Sequence, residues 1–129
     1  MILNTALTCL ALNIYHEARS EPLYSQVAVA QVTLNRVSNP NYPSTVCGVV
    51  TQKGQFSWYW DGLSDKPKEP LAWERSVALA DLILEANISV DCVDTSTHYH
   101  ADYVKPYWSK VFEKTCQLGK HIFYKERKA

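Results

Sequence analysis

A chain of 129 residues is the length of one domain and can bury roughly 68% of its unfolded surface, enough for a self-supporting core. Hydrophobic residues make up 47% and charged residues 20%, which excludes a wholly disordered chain. Thirteen basic residues balance thirteen acidic ones, which argues against nucleic acid as a partner, although residues 101–129 keep a basic excess of seven against three.

Leu3, Leu7, Leu10 and Ile14 recur at helical spacing and predict a first amphipathic helix over 3–19. This start lacks a basic n-region and a clear cleavage site, so it reads as a core helix and not as a signal peptide. No segment approaches the run of about 18 apolar residues of a membrane helix, and no membrane partner is expected. Val27, Ala30, Leu34 and Val37 predict a second helix over 25–37, apolar on most sides and therefore central. Pro40 and Pro43 end it. Residues 44–54 read as a loop or short helix with Gly48 and Gly54 as breakers. The aromatic run 55–60 reads as a strand with Phe56, Trp58 and Trp60 on one face. Trp73, Val77, Ala80 and Leu84 predict a third helix over 71–87. Strands are expected at 97–101 and 120–125, joined by a long irregular connection. The fold class is α+β, a single domain over 1–129 with helices first and a small antiparallel sheet afterwards.

Four cysteines stand at 9, 47, 92 and 116 without a C-x-x-C pair, which excludes a zinc ribbon. Two disulfides in any of three connectivities, or free thiols, remain open.

Glu17 is the most informative residue. It continues the stripe 3, 7, 10, 14 and so places a carboxylate at a core-facing position. Burial there raises a carboxyl pKa and supplies the protonated acid that general acid catalysis requires. The competing reading has Glu17 fray into solvent or pair with Arg19 or Arg36. Glu21, just before Pro22, lines the same site or is an ordinary helix-terminal acid. Aromatics cluster at 56–60 and 99–112, and exposed Trp and Tyr faces suit sugar rings. His98 and His100 share one strand face. They make a metal edge only with a third ligand such as His121, Asp102 or His16, none at a diagnostic spacing.

Tyr15 to Glu21, Gln26 to Val37 and Pro40 to Val50 resemble the opening of the cell wall hydrolases of the SleB and CwlJ type. Gln55-Phe56-Ser57-Trp58, Thr97-His98-Tyr99-His100-Ala101 and Gly119 to Tyr124 follow in the family's order, so the resemblance covers nearly the whole chain. Ser20 departs from the family's usual glycine. The resemblance implies a lysozyme-like, lytic-transglycosylase-like domain that cleaves peptidoglycan between N-acetylmuramic acid and N-acetylglucosamine. The family's catalytic glutamate maps to Glu17. One such acid supports a lytic transglycosylase giving 1,6-anhydromuramic products; a second carboxylate at Glu21, Asp61 or Asp102 would support hydrolysis by a muramidase.

The expected groove has Gln55, Phe56, Ser57 and Trp58 on one side and His98, Tyr99, His100, Tyr103 and Tyr107 on the other, with Tyr15 and Glu21 nearby. The competing arrangement packs Phe56 and Trp58 into the core. The expected partner is a peptidoglycan glycan strand, bound by a monomer without metal or cofactor. Two other functions compete: a non-catalytic glycan-binding module, and a metal-dependent amidase using His98 and His100. The expected setting is a phage endolysin held in the host cytoplasm before release, or a virion-borne lysin.

Overall fold

The computed structural model describes residues 5–52, 56–60 and 65–126, with the side chains of Ser57 and Trp60 outside the described part. The first helix, α1 (Ala6–Ala18), starts where the Thr5 hydroxyl accepts the Thr8 N–H at 3.1 Å, satisfying a donor the helix cannot. The second, α2 (Leu23–Val37), begins directly after Pro22, two residues earlier than expected. A short α3 (Val46–Val50) is capped by Thr45. Gly48 lies inside it and is not a breaker. A Cβ there would stand 2.8 Å from Thr45 Oγ1 and 2.9 Å from Pro43 Cβ, so glycine permits a close approach.

Residues 57–60 are helical, forming α4 (Ser57–Trp60), where a strand is expected. Tertiary contacts override β-propensity here: Phe56 is buried and Trp58 stacks on His16 with ring centroids 4.4 Å apart. The third expected helix is α5 (Pro70–Ala86), with proline in its first turn and Asn87 closing it at φ 54°.

The sheet consists of β1 (His98–Ala101), β2 (Glu113–Leu118) and β3 (His121–Lys125), antiparallel in the order β1-β3-β2. The long irregular connection therefore contains a strand and a 3₁₀ turn at Tyr107–Lys110. β2 is an edge strand of mixed exposure, so it lacks the apolar alternation that marks a half-buried strand. Gly119, at φ 57°, turns β2 into β3.

Among the described residues the core has two clusters. Leu10, Ile14, Val27, Ala30, Val50, Ala80 and Ile83 join α1, α2, α3 and α5. Ala28, Val29, Val32, Val93 and Phe123 join α2 to the sheet. α2 serves both, as its broad apolar surface requires. Disulfides Cys9–Cys47 and Cys92–Cys116 tie α1 to α3 and the 3₁₀ turn Asp91–Val93 to β2.

Candidate active site

The polar face of α2 sets the sheet against the helices. Asn35 Nδ2 donates to the carbonyls of Asp94 and Ser96 at 2.9 and 2.8 Å. Gln31 Oε1 accepts the Val90 N–H, and Arg36 Nε donates to the Thr97 carbonyl at 2.7 Å. This row fixes the chain that enters β1. Strand alternation then sends Tyr99 inward beside Phe123 and His121, while the His98 and His100 rings share the opposite side, against Trp108.

Between the helices and the sheet lies a cleft of about 270 Å³. His16, Glu17, Val32, Arg36 and Phe56 line one side; Tyr99, His100, Ala101, Tyr103 and His121 line the other. Burial pushes the Glu17 carboxyl up from 4.5 to about 7. The Tyr99 hydroxyl, the Arg36 guanidinium and the Trp58 indole N–H act against that rise without cancelling it. The Tyr99 hydroxyl and Trp58 Nε1 are buried without a hydrogen bond of normal geometry, so their influence on Glu17 is that of nearby dipoles. Burial and the Glu17 charge raise Tyr99 well above 10, so it stays a neutral donor. Burial lowers His121, whose Nδ1 sits 3.3 Å from Glu21 Oε1 without good alignment.

Among the described residues lining the cleft, Glu17 is the one carboxylate. The Glu21 carboxylate accepts the Lys120 N–H at 2.7 Å, which secures the β2–β3 turn and places Glu21 behind His121. Asp61 lies outside the described residues. Tyr15 is buried outside the cleft, its hydroxyl accepting the N–H groups of Lys68 and Glu69, both at 3.0 Å. Phe56 is both buried and cleft-lining, so the groove and core readings meet in one residue. Trp58 packs against the helical core cluster. Gln55 lies outside the described residues, and Ser57 is located only by its position in α4.

The remaining expected residues divide by position. Tyr103 reaches the cleft at 82% exposure, whereas Tyr107, at 84%, does not line it. His98 packs on Trp108 and Phe112, and burial lowers it to about 4. His100 contacts the Ala101 carbonyl and the Tyr124 hydroxyl through its two ring nitrogens. Among the described residues no three His, Cys, Asp or Glu side chains converge as metal ligands, so the His98–His100 edge has no third member there.

Sequence reasoning did not place Arg36 in the site. The signal was present: Val29, Val32 and Arg36 follow helical spacing, so Arg36 interrupts an apolar face as Glu17 does.

Residues 20–124 match the Cell Wall Hydrolase family. The chain belongs to that family. Its relatives include the spore cortex-lytic enzymes of Bacillus subtilis, 31% identical over 93% of this chain, and of Halalkalibacterium halodurans, 34% identical over 85%. The chain spans 37% and 32% of those two proteins. The fold is similar to the catalytic domain of the germination-specific lytic transglycosylase SleB from Bacillus anthracis, with a TM-score of 0.73, 28% identity and 93% coverage of both chains. It is likewise similar to the catalytic domain of SleB from Bacillus cereus, with a TM-score of 0.72 and 27% identity over 93% of this chain and 89% of that one. The α+β class and the resemblance read from the sequence agree with these matches, which extend across the helices and the sheet.

Proposed function

We propose that this cell wall hydrolase domain is a peptidoglycan lytic transglycosylase that uses Glu17 as its single acid–base group. The observation that carries the reading is a lone carboxylate in the described cleft wall, raised to about 7 by burial. Near neutral pH a large share of Glu17 holds a proton, as a general acid must. Glu17 gives that proton to the glycosidic oxygen as the bond to muramic C1 breaks, and the N-acetylglucosamine side leaves with a free hydroxyl. The Glu17 carboxylate then removes the proton of the muramic C6 hydroxyl, whose oxygen bonds to C1. The proton returns to Glu17, the product carries a 1,6-anhydro ring, and no water is consumed. Hydrolysis by two carboxylates needs a second one across the bond. Of the two described candidates, Glu21 is tied to the β2–β3 turn and Asp102 is not in the cleft lining.

Tyr99, Arg36 and Trp58 limit how far the Glu17 pKa rises, and Phe56 and Tyr103 offer ring faces to the sugar. The enzyme acts as a monomer on a glycan strand. The two disulfides suit an oxidising space, which favours action on the wall side of the membrane. A lysin of phage type that reaches that space from the host cytoplasm or on a virion is the proposed setting.

Mass spectrometry of muropeptides after digestion tests the reading. Anhydromuramic ends, 18 mass units lighter than reducing ends (about one water), are expected. Reducing muramic ends support a muramidase instead, and uncut strands that still bind support a glycan-binding module.

A further inference from the structure

β3 opens on His121, which lines the cleft from the sheet side. The turn before it forms a seat for Glu21. Gly119 takes φ 57°, and a Cβ there would stand 2.8 Å from Glu21 Oε1 and 2.9 Å from Ser25 Oγ, so glycine lets the carboxylate close on the turn. Lys120 then donates its N–H to Glu21 Oε1 at 2.7 Å. The same oxygen lies 3.3 Å from His121 Nδ1, with the two side chains nearly enclosed, His121 at 10% and Glu21 at 14% exposure.

This contact sets the tautomer of the ring. A proton on Nδ1 meets the carboxylate oxygen, whereas a lone pair there would face another lone pair. Burial lowers the His121 pKa, which keeps the ring neutral near pH 7. With its proton on Nδ1, the neutral ring carries a lone pair on Nε2 and can only accept there. Nδ1 is buried; Nε2 makes no hydrogen bond among the described residues and is not sealed from solvent, so it opens on the cleft.

On a muramic ring within a glycan strand, C1 and C4 carry glycosidic oxygens and C3 an ether. Two hydrogen-bond donors remain on that ring: the C6 hydroxyl and the acetamido N–H at C2. The transglycosylase reading gives the C6 hydroxyl to Glu17, on the helical side of the cleft. The N–H is the donor left for an acceptor on the sheet side.

We propose that Glu21 and His121 form a specificity dyad in which Nε2 accepts the acetamido N–H of the muramic ring seated at Glu17. The proposal rests on that reading through the assignment of the C6 hydroxyl. C2 and the C6 arm stand on opposite flanks of C1, so a ring held at both flanks presents C1 to the acid. His121 touches the sugar; Glu21 is a positioning residue that keeps the imidazole proton on the far nitrogen.

The test follows isotope-labelled imidazole nitrogens by NMR in Glu17→Gln protein. The free protein should show His121 as the Nδ1–H tautomer. A tetrasaccharide of alternating N-acetylglucosamine and N-acetylmuramic acid should move Nε2 toward its protonated position. The same tetrasaccharide without the muramic C6 hydroxyls should move it equally. An Nε2–H tautomer, an Nε2 unmoved by glycan, or a shift that needs the C6 hydroxyl would each overturn the dyad. In turnover, His121→Phe keeps ring packing beside Tyr99 and Phe123 and should lower kcat/KM about three- to tenfold, the size of one hydrogen bond. His121→Gln, which carries an acceptor out to the Nε2 position, should recover most of that loss, and His121→Asn, which reaches only the Nδ1 position, should not. Equal losses in the Phe and Gln variants would overturn the acceptor role. If the wild type leaves no anhydromuramic ends while both tetrasaccharides still move Nε2, the transglycosylase reading fails and the dyad stands.

Discussion

The helical and sheet walls of the cleft are held by different forces. Glu17 and Arg36 ride on α1 and α2, whose apolar faces lock into the two core clusters. Tyr99 and His121 ride on a three-stranded sheet positioned by side-chain amides, Arg36 and the Cys92–Cys116 bond. The helical wall supplies the acid and the burial that raises it. The sheet wall supplies Tyr99, the largest of the groups that limit the rise. Packing fixes a carboxyl where water is scarce, and a hydrogen-bonded sheet then adjusts it.

The largest effect should come from the acid itself. Glu17→Gln keeps the size of the side chain and removes the transferable proton, so wall cleavage should fall by at least ~10²–10⁴-fold. The same variant should fold more stably at high pH. A carboxyl at about 7 in the folded protein and 4.5 unfolded is without cost below pH 4.5, and its cost grows until pH passes 7. That interval corresponds to about 3 kcal/mol at ~1.36 kcal/mol per pH unit. Melting curves should show the glutamine variant above wild type at pH 8 and level with it at pH 4. Near-wild-type turnover would remove Glu17 from the mechanism.

Breaking one disulfide at a time separates the walls. Cys9 and Cys47 are 38 residues apart, Cys92 and Cys116 are 24 apart, and loss of either bond should cost about 2–4 kcal/mol. Hydrogen exchange locates the loss. Cys92→Ala/Cys116→Ala should accelerate β2 and β3 first, and Cys9→Ala/Cys47→Ala should accelerate α1 and α3. The reverse pattern would show that the walls are not held independently.

A smaller change should appear in Tyr99→Phe. The ring still packs on Phe123, and the lost hydroxyl makes no normal hydrogen bond, so stability should hardly move. Glu17 loses a group that lowers its pKa, so the falling limb of activity should shift to higher pH by less than about one unit. A shift to lower pH would assign the wrong sign to Tyr99.

The two walls also differed in how far sequence revealed them. The apolar stripes of α1, α2 and α5 were legible because packing writes a 3.6-residue period. Glu17 stood out by interrupting one. β2 was not legible because an edge strand such as Glu113–Leu118 need not alternate. The run at 56–60 misled because aromatic residues favour strands, while stacking on His16 sets the local geometry. His98 and His100 were placed on one face correctly, but the pattern could not say that Tyr99 takes the inner face. Arg36 obeyed the rule that singled out Glu17, yet it was weighed only as an ion-pair partner of Glu17 and not as a residue of the site.

The most direct test of a burial-tuned acid is the titration of Glu17, followed by NMR of its side-chain carboxyl carbon. The account predicts a midpoint of about 7, with the activity of the wild type falling as pH rises through the same value. A midpoint at or below 4.5 would contradict it, because Glu17 would then be ionised at neutral pH and could not serve as the acid.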